Sequence, residues 1–421
     1  MLKMTRFFAM ALALMMSFAT ITSLSLLTAQ AAGGPIIAPD EETPIEVSIR
    51  KVLRMPIGTD TPAADFNFET EKINLDGDTS QTALDKMPNL NTDNMTVSFT
   101  VDDKDTNDLA NNTVSVVNTT DNILEGIVFP QAGIYVYEIT EEQFTNNKID
   151  TNAPHEILTY SKAVYTLRVY VFNTEDYKDT YISAIAIIVK TPDDFSQDEG
   201  DKVAQLTFTN DYLKTNTSIN PSEDSTLFVS KTVTGDLGNR DLYFNFSMTL
   251  AVPALVDTPP SYFRAYVVDE GAETNPIDPV DNAAASLIDT DSLGSYIKIS
   301  TGGFTNFKLK HGQRLVFVDT PVGTSYVAEE SPSVGYLSSV IVTTNDIEAA
   351  PITTASGTLL RTGIQLVGEA INSAAFINER AEVIPTGVNV DDLPFVGMIA
   401  FPTVALIGFI VFKSRKKNHA A

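Results

Sequence analysis

Apolar side chains recur at every second residue in run after run of this chain. Tyr165, Leu167, Val169 and Val171 alternate with Thr166, Arg168 and Tyr170, and Phe244, Phe246, Met248 and Leu250 recur in the same way. Successive side chains of an extended strand point to opposite faces, so this pattern buries one face and wets the other. A helix would need apolar positions spaced by three and four, and no long stretch has that spacing. Clusters of Gly, Pro, Asn and Asp separate the runs, as turns between short strands require. The expected fold is all-β, with sheets packed as sandwiches over their apolar faces.

The runs fall into two copies of one unit. Each half opens on a strand containing a lysine, VSIRKVL (47–53) and LFVSKTV (227–233). Each then shows Phe-Asn-Phe, at Phe66–Phe68 and Phe244–Phe246. A Pro…Gly…Tyr…Glu strand follows, PQAGIYVYEITE (130–141) and PVGTSYVAEE (321–330), and each half closes on a Phe-x-Asn strand, LTFTN (206–210) and AAFIN (374–378). Four elements in the same order indicate a duplication. The division expected is a first sandwich over 44–212, a polar linker over 213–224 and a second sandwich over 225–380.

Phase within these strands singles out six residues. Lys51 shares a face with Val47, Ile49 and Leu53, and Lys231 with Leu227, Val229 and Val233. Both lysines occupy positions where a core residue belongs, and an unpaired ammonium there costs several kcal/mol. The same test places Glu141 with Tyr135, Tyr137 and Ile139, and Glu330 with Tyr326 and Ala328. Asn210 follows Leu206 and Phe208 in phase, and Asn378 follows Ala374 and Phe376. Alternation selects Glu141 over its neighbours Glu138 and Glu142, and Glu330 over Glu329, although a bulge would reverse either choice. A snorkelling lysine or a buried Lys–Glu ion pair would also fit these phases.

Composition closes off several function classes. The 421 residues include no cysteine, which excludes disulfides, thiol catalysis and Cys-based zinc sites. The three histidines, His155, His311 and His419, are scattered, so no metal site or cofactor is expected. Asp103, Asp105 and Asn107 have calcium-loop spacing, but Asp108 stands where that loop needs glycine and Val114 where it needs glutamate. VTGDLGN (233–239) is a turn, not a phosphate loop, since no Gly-Lys-Ser/Thr follows. A formal net charge of −26 repels nucleic acid and anionic lipid and keeps an exposed protein soluble.

The two ends describe an export route. Lys3 and Arg6 precede an apolar core from Phe7 to Leu27, and Ala29-Gln30-Ala31 is a small-x-small cleavage site, so residues 1–31 read as a secretory signal peptide. At the other end, residues 381–421 carry Ile384-Pro385-Thr386-Gly387, an apolar run from 393 to 412 and a basic cluster at 413–417. Twenty apolar residues suffice for one transmembrane helix, and the basic cluster would stay cytoplasmic. This order resembles a Gram-positive sortase cell-wall sorting signal, in the shortened form of some pilus subunits. The resemblance implies cleavage between Thr386 and Gly387 and transfer of the Thr386 carbonyl to an amine.

The body of the chain resembles the intramolecular isopeptide domains of Gram-positive pilins, of the streptococcal backbone-pilin type. VSKTVTGDLGNRDLYFNF and LKHGQRLVFVDTPVGTSYVAEE carry that likeness most clearly, and the first half matches more loosely. It implies two tandem Ig-like (CnaB-like) sandwiches, with Lys51 joined to Asn210 under the influence of Glu141, and Lys231 joined to Asn378 under that of Glu330. Such bonds are self-modifications, so no enzyme activity on a substrate is expected. The implied role is a structural subunit of a sortase-assembled pilus, secreted and covalently anchored at the cell surface. Its partners would be sortase, other pilus subunits or peptidoglycan, with the membrane a partner only before cleavage. The acceptor for a neighbouring subunit's threonine would be Lys202, with Lys190 second. The alternatives are a monomeric wall-anchored protein, an adhesin for a host or bacterial surface ligand, and, most remote, an extracellular enzyme.

Overall fold

The computed structural model describes residues 36–37 and 44–380, except 104–105, 109–111, 144–148, 150–155, 194–196, 217, 223–225, 257 and 273–274. The signal peptide, the motif at Thr386–Gly387, the apolar run and the basic tail lie outside the described residues. Among those described, no helix is long and apolar enough to cross a membrane. The chain is nearly all-β, as its alternation requires, and its strands form two sandwiches in tandem.

In the first sandwich one sheet runs in the order Ile36–Ile37, Thr180–Thr191, Val164–Asn173, Gly133–Glu141, Ala64–Leu75 and Thr96–Phe99, with Lys202–Val203 also on Thr180–Thr191. The facing sheet places the closing strand Leu206–Asn216 beside the opening strand Ile49–Pro56, followed by Thr113–Thr119 and Thr106–Asp108. Between them lies a core that includes Ile49, Leu53, Phe66, Tyr135, Tyr137, Leu167 and Phe208. The second sandwich repeats the plan. Its opening strand Leu227–Thr234 lies beside its closing strand Asn372–Glu379, and Phe244–Ala251 and Ser325–Glu330 pair in the facing sheet. Its core is built on Leu227, Val229, Phe246, Phe307, Phe317 and Phe376.

The pairing registers of the two halves coincide at the residues that matter. In both, the opening strand with the lysine and the closing strand with the asparagine run parallel, a pairing that only strands far apart in sequence can make. Lys51 pairs with Phe208 and Leu53 with Asn210, while Lys231 pairs with Phe376 and Val233 with Asn378. Each asparagine therefore stands two residues beyond the position opposite its lysine, on the same face of the sheet. In the facing sheets Phe68 pairs with Glu141 and Phe246 with Glu330. The Phe-Asn-Phe segments and the glutamate strands thus keep one register in both copies.

The junction between the sandwiches is more ordered than a polar linker suggests. The closing strand of the first sandwich continues to Asn216, and its last residues pair with Thr320–Pro321 of the second. Glu369 of the second sandwich accepts from the Lys214 ammonium and from the Asp60 backbone N–H of the first. Beyond the strand, Ile219 packs on Tyr266, Tyr296 and Val318. Polar composition hides this because the partners, the backbone of Thr320–Pro321 and the Glu369 side chain, lie more than 100 residues away in the sequence. Gly323 sits in the left-handed region (φ 83°), where an added Cβ would lie 2.4 Å from Cβ of Pro56, so this close approach depends on glycine.

Candidate functional site

Each sandwich holds one lysine, one glutamate and one asparagine together in its interior. In the first, the side chains of Lys51 and Glu141 are fully excluded from solvent, and Asn210 is fully buried. Lys51 Nζ donates to Glu141 Oε2 at 2.7 Å, and Asn210 Nδ2 donates to Glu141 Oε1 at 2.8 Å. In the second, Lys231 Nζ lies 3.0 Å from both Glu330 oxygens, and Asn378 Nδ2 donates to Glu330 Oε1 at 2.5 Å. One carboxyl therefore touches both the lysine amine and the asparagine amide nitrogen. Lysine and asparagine come from adjacent strands of one sheet and the glutamate from the sheet facing them.

The neighbouring acids point elsewhere. Glu138 pairs with Lys190 at 2.6 Å near the surface, Glu142 accepts from the side chain of Asn67, and Glu329 pairs with Arg361 at 3.0 Å. No bulge interrupts the pairing of Glu138–Glu141 or Glu329–Glu330 with the adjacent strand, so the period of two carries through to both acids. His311 is a turn residue of the second site's edge: its Nδ1 accepts from the Val233 N–H at 3.0 Å, and the next residue, Gly312, donates to the Lys231 carbonyl. Lys202 is exposed on the short edge strand Lys202–Val203.

Burial sets the electrostatics. Desolvation pulls the Lys51 ammonium down to about 8, against the opposing pull of Glu141, and pulls Lys231 down to about 8 against that of Glu330. Burial also pushes the Glu141 carboxyl above the usual carboxylate range, with Lys51 opposing. An aromatic ring completes each lysine's surroundings. Lys51 Nζ lies 4.8 Å from the centroid of Phe66, and Lys231 Nζ lies 4.3 Å from that of Phe244. The ring face partly compensates the charged form while keeping water out. The repeated Phe-Asn-Phe was visible in the sequence, but its place over the amines was not, because register across sheets is a long-range property.

The sites differ at the asparagine carbonyl. Asn210 Oδ1 accepts the Ser161 backbone N–H at 2.6 Å, whereas the buried Asn378 Oδ1 has no hydrogen-bond partner among the described residues. The Ser161 contact fixes which end of the Asn210 amide faces Glu141, since an N–H needs an oxygen to accept it. Glu141 therefore meets the amide nitrogen. A direct polarising contact from the glutamate to the carbonyl is not the arrangement at this site.

Comparison with known proteins shows what the chain is similar to. A pilin of Streptococcus pyogenes serotype M1 is 26% identical over 363 residues, covering 84% of this chain and 86% of that protein. The chain is pilin-like. A family described as a domain of unknown function (DUF7601) matches residues 225–359. Among solved structures, the major pilin of Streptococcus pyogenes is similar with a TM-score of 0.32 and 22% identity, over 81% of this chain and all of that one. A pilus-presented adhesin, Spy0125 (Cpa), is similar with a TM-score of 0.23 and 18% identity, over 52% of this chain and 36% of that one.

The depressed lysines give a pH test in a chain carrying Asn210→Ala and Asn378→Ala, where neither amine has an asparagine amide beside it. Below about 8 each lysine is charged in the folded and the unfolded chain, and its burial is fully destabilising. Between about 8 and the unfolded value of 10.5, the folded chain releases a proton that the unfolded chain keeps. Stability of this variant should therefore rise with pH across that interval. Denaturant titrations at a series of pH values would measure it. Replacing Lys51 and Lys231 with Met should abolish the rise, and a flat or falling profile with the lysines present would contradict their depressed values.

Proposed function

We propose that this chain is a structural subunit of a sortase-assembled cell-surface pilus, each of whose sandwiches is closed by a self-formed Lys–Asn isopeptide bond. The observation that carries the reading is the repeated interior constellation, in which one carboxyl touches an amine and an amide nitrogen with no water between. The pilin likeness along most of the chain supports the pilus role, and the terminal signals support export and anchoring.

The chemistry follows from the contacts. Lys51 passes a proton to Glu141, which burial predisposes to hold one. The free amine adds to Cγ of Asn210, and the carbonyl electron pair moves onto Oδ1. Glu141 returns the proton to Nδ2, which lies against its Oε1. The pair on Oδ1 falls back, the Cγ–Nδ2 bond breaks and ammonia leaves. The new amide nitrogen gives its extra proton to Glu141, so charge and atoms balance. Lys231, Glu330 and Asn378 carry out the same steps in the second sandwich. Proximity supplies much of the acceleration, because folding holds the reactants in contact. The reaction turns over once and needs no cofactor.

In this reading Thr386 is joined by sortase to an amine of the next subunit or of the wall. Lys202 is the acceptor proposed: it is exposed, whereas Lys190 is engaged by Glu138. The mature protein is then a surface protein that meets the membrane only before cleavage.

Two experiments test these proposals. Intact-mass spectrometry of the mature chain should give a value two ammonias below the sequence mass. Glu141→Ala and Glu330→Ala should each restore one ammonia, while Glu138→Ala and Glu329→Ala should restore none. An unmodified wild-type mass would remove the bond chemistry altogether. For assembly, cells making the protein should yield a high-mass ladder that survives boiling in detergent, and Thr386→Ala should abolish it. A single wall-linked band would replace the pilus with a monomeric anchored protein, and a ladder unchanged by Lys202→Ala would place the acceptor elsewhere.

A further inference from the structure

We propose that Ser161 and Asp193 build a carbonyl-activating pocket for the first site only, so that the two bonds form by the same chemistry with unequal help. The inference rests on the bond-forming reading above and assigns a role to two residues outside its Lys–Glu–Asn sets.

When the Lys51 amine adds to Cγ of Asn210, the carbonyl electron pair moves onto Oδ1. The Ser161 N–H is already 2.6 Å from that oxygen, inside the core. A donor held where negative charge will develop stabilises it without rearrangement. The charge disappears again as the Cγ–Nδ2 bond breaks and ammonia leaves, with the protons carried by Glu141.

The donor is held by one carboxylate. Asp193 Oδ2 accepts from Ser161 Oγ at 2.6 Å and from the Thr209 N–H at 2.9 Å. Its Oδ1 accepts from the Lys162 N–H at 2.6 Å and the Ala163 N–H at 2.9 Å. Thr209 is the residue before Asn210 in the closing strand. Asp193 therefore ties the turn that carries the donor to the strand that carries the acceptor. The strand Glu156–Thr159 pairs with the closing strand only from Asp211 onward, which leaves the Thr209 N–H for Asp193 to take. Asp193 does not touch the reacting atoms, so it is a positioning residue.

Among the described residues the second site has no such donor. Asn378 is fully buried, and its Oδ1 has no hydrogen-bond partner among the described residues. Glu330 reaches only the nitrogen end of that amide. The charge that forms there is not met by a prepared N–H.

The test follows both bonds within one molecule. The mature chain is made by cell-free translation, chased, quenched at intervals in acidic urea and digested, and both cross-linked peptides are counted by mass spectrometry. Folding is followed in the same chase by protease protection, so that closure is read per folded chain. Asp193→Ala loosens the donor without removing it, so it should slow closure of the first site by about ten-fold or more, short of the roughly 100- to 1,000-fold of losing such a donor outright, and leave the second unchanged. Asp193→Asn keeps one oxygen acceptor and should recover part of the rate, whereas a purely structural role would alter the folded fraction and not the closure rate within it. First-site closure at the wild-type rate in both variants would overturn the proposal while leaving the bonds intact, as would equal slowing at both sites. A wild-type chain that forms neither bond would overturn the proposal together with the reading beneath it.

Discussion

Two ammonium groups buried between β-sheets are the constraint around which each sandwich is organised. An isolated charge in such an interior is costly, and an ion pair only partly offsets its desolvation. Here the apolar walls, the aromatic ring and the glutamate act together on each amine. The walls and exclusion of water push Lys51 and Lys231 toward the neutral form, and the same burial pushes Glu141 toward its acid form. A pair that would be a poor stabiliser becomes a reactive amine beside a proton carrier. The asparagine amide beside them turns an electrostatic liability into the driving condition for the proposed bond.

Topology decides what that bond would hold. In both sandwiches lysine and asparagine lie on the opening and closing strands of one sheet, which run side by side in parallel. Tension along the chain enters a sandwich on one of these strands and leaves on the other. A covalent link between them carries the force directly and spares the hundred and more residues that form the rest of the sandwich. Closing a loop of about 150 residues stabilises the fold by about 5 kcal/mol on chain entropy alone. With no cysteine in the chain, the proposed bond would supply what a disulfide could not, and it would resist reduction. The junction fits the same purpose, since the closing strand of the first sandwich passes into pairing with Thr320–Pro321 of the second.

Strand phase made the interior lysines, glutamates and asparagines legible, because a period of two is a local property and a charged residue in a core slot stands out against it. Glu141 could be separated from Glu138 for the same reason. The ordered junction was not legible: residues 213–216 read as polar linker, but Leu213 and Lys214 pair with Glu156–Thr159 and Thr215 and Asn216 with Thr320–Pro321, both distant in sequence. Ser161 and Asp193 left no trace either. The Ser161 contact is made by a backbone N–H, which any residue but proline could supply, and Asp193 is one of many acids in an acidic chain. The duplication gave no help there, since the proposed pocket has no counterpart among the described residues of the second half. The roles of Phe66 and Phe244 lay between these cases, visible as a repeat and unexplained until the sheets faced each other.

Single-molecule pulling on the two-sandwich chain, held at its ends, tests most directly whether covalent closure takes the chain between first and last strands out of the force path. Unfolding an unbonded sandwich of about 150 residues would release on the order of 50 nm of chain. The account predicts no step of that size from the wild-type protein, and a single such step, from the second sandwich alone, when Lys231→Ala removes one amine. Two full-length unfolding steps from the wild-type chain would contradict it.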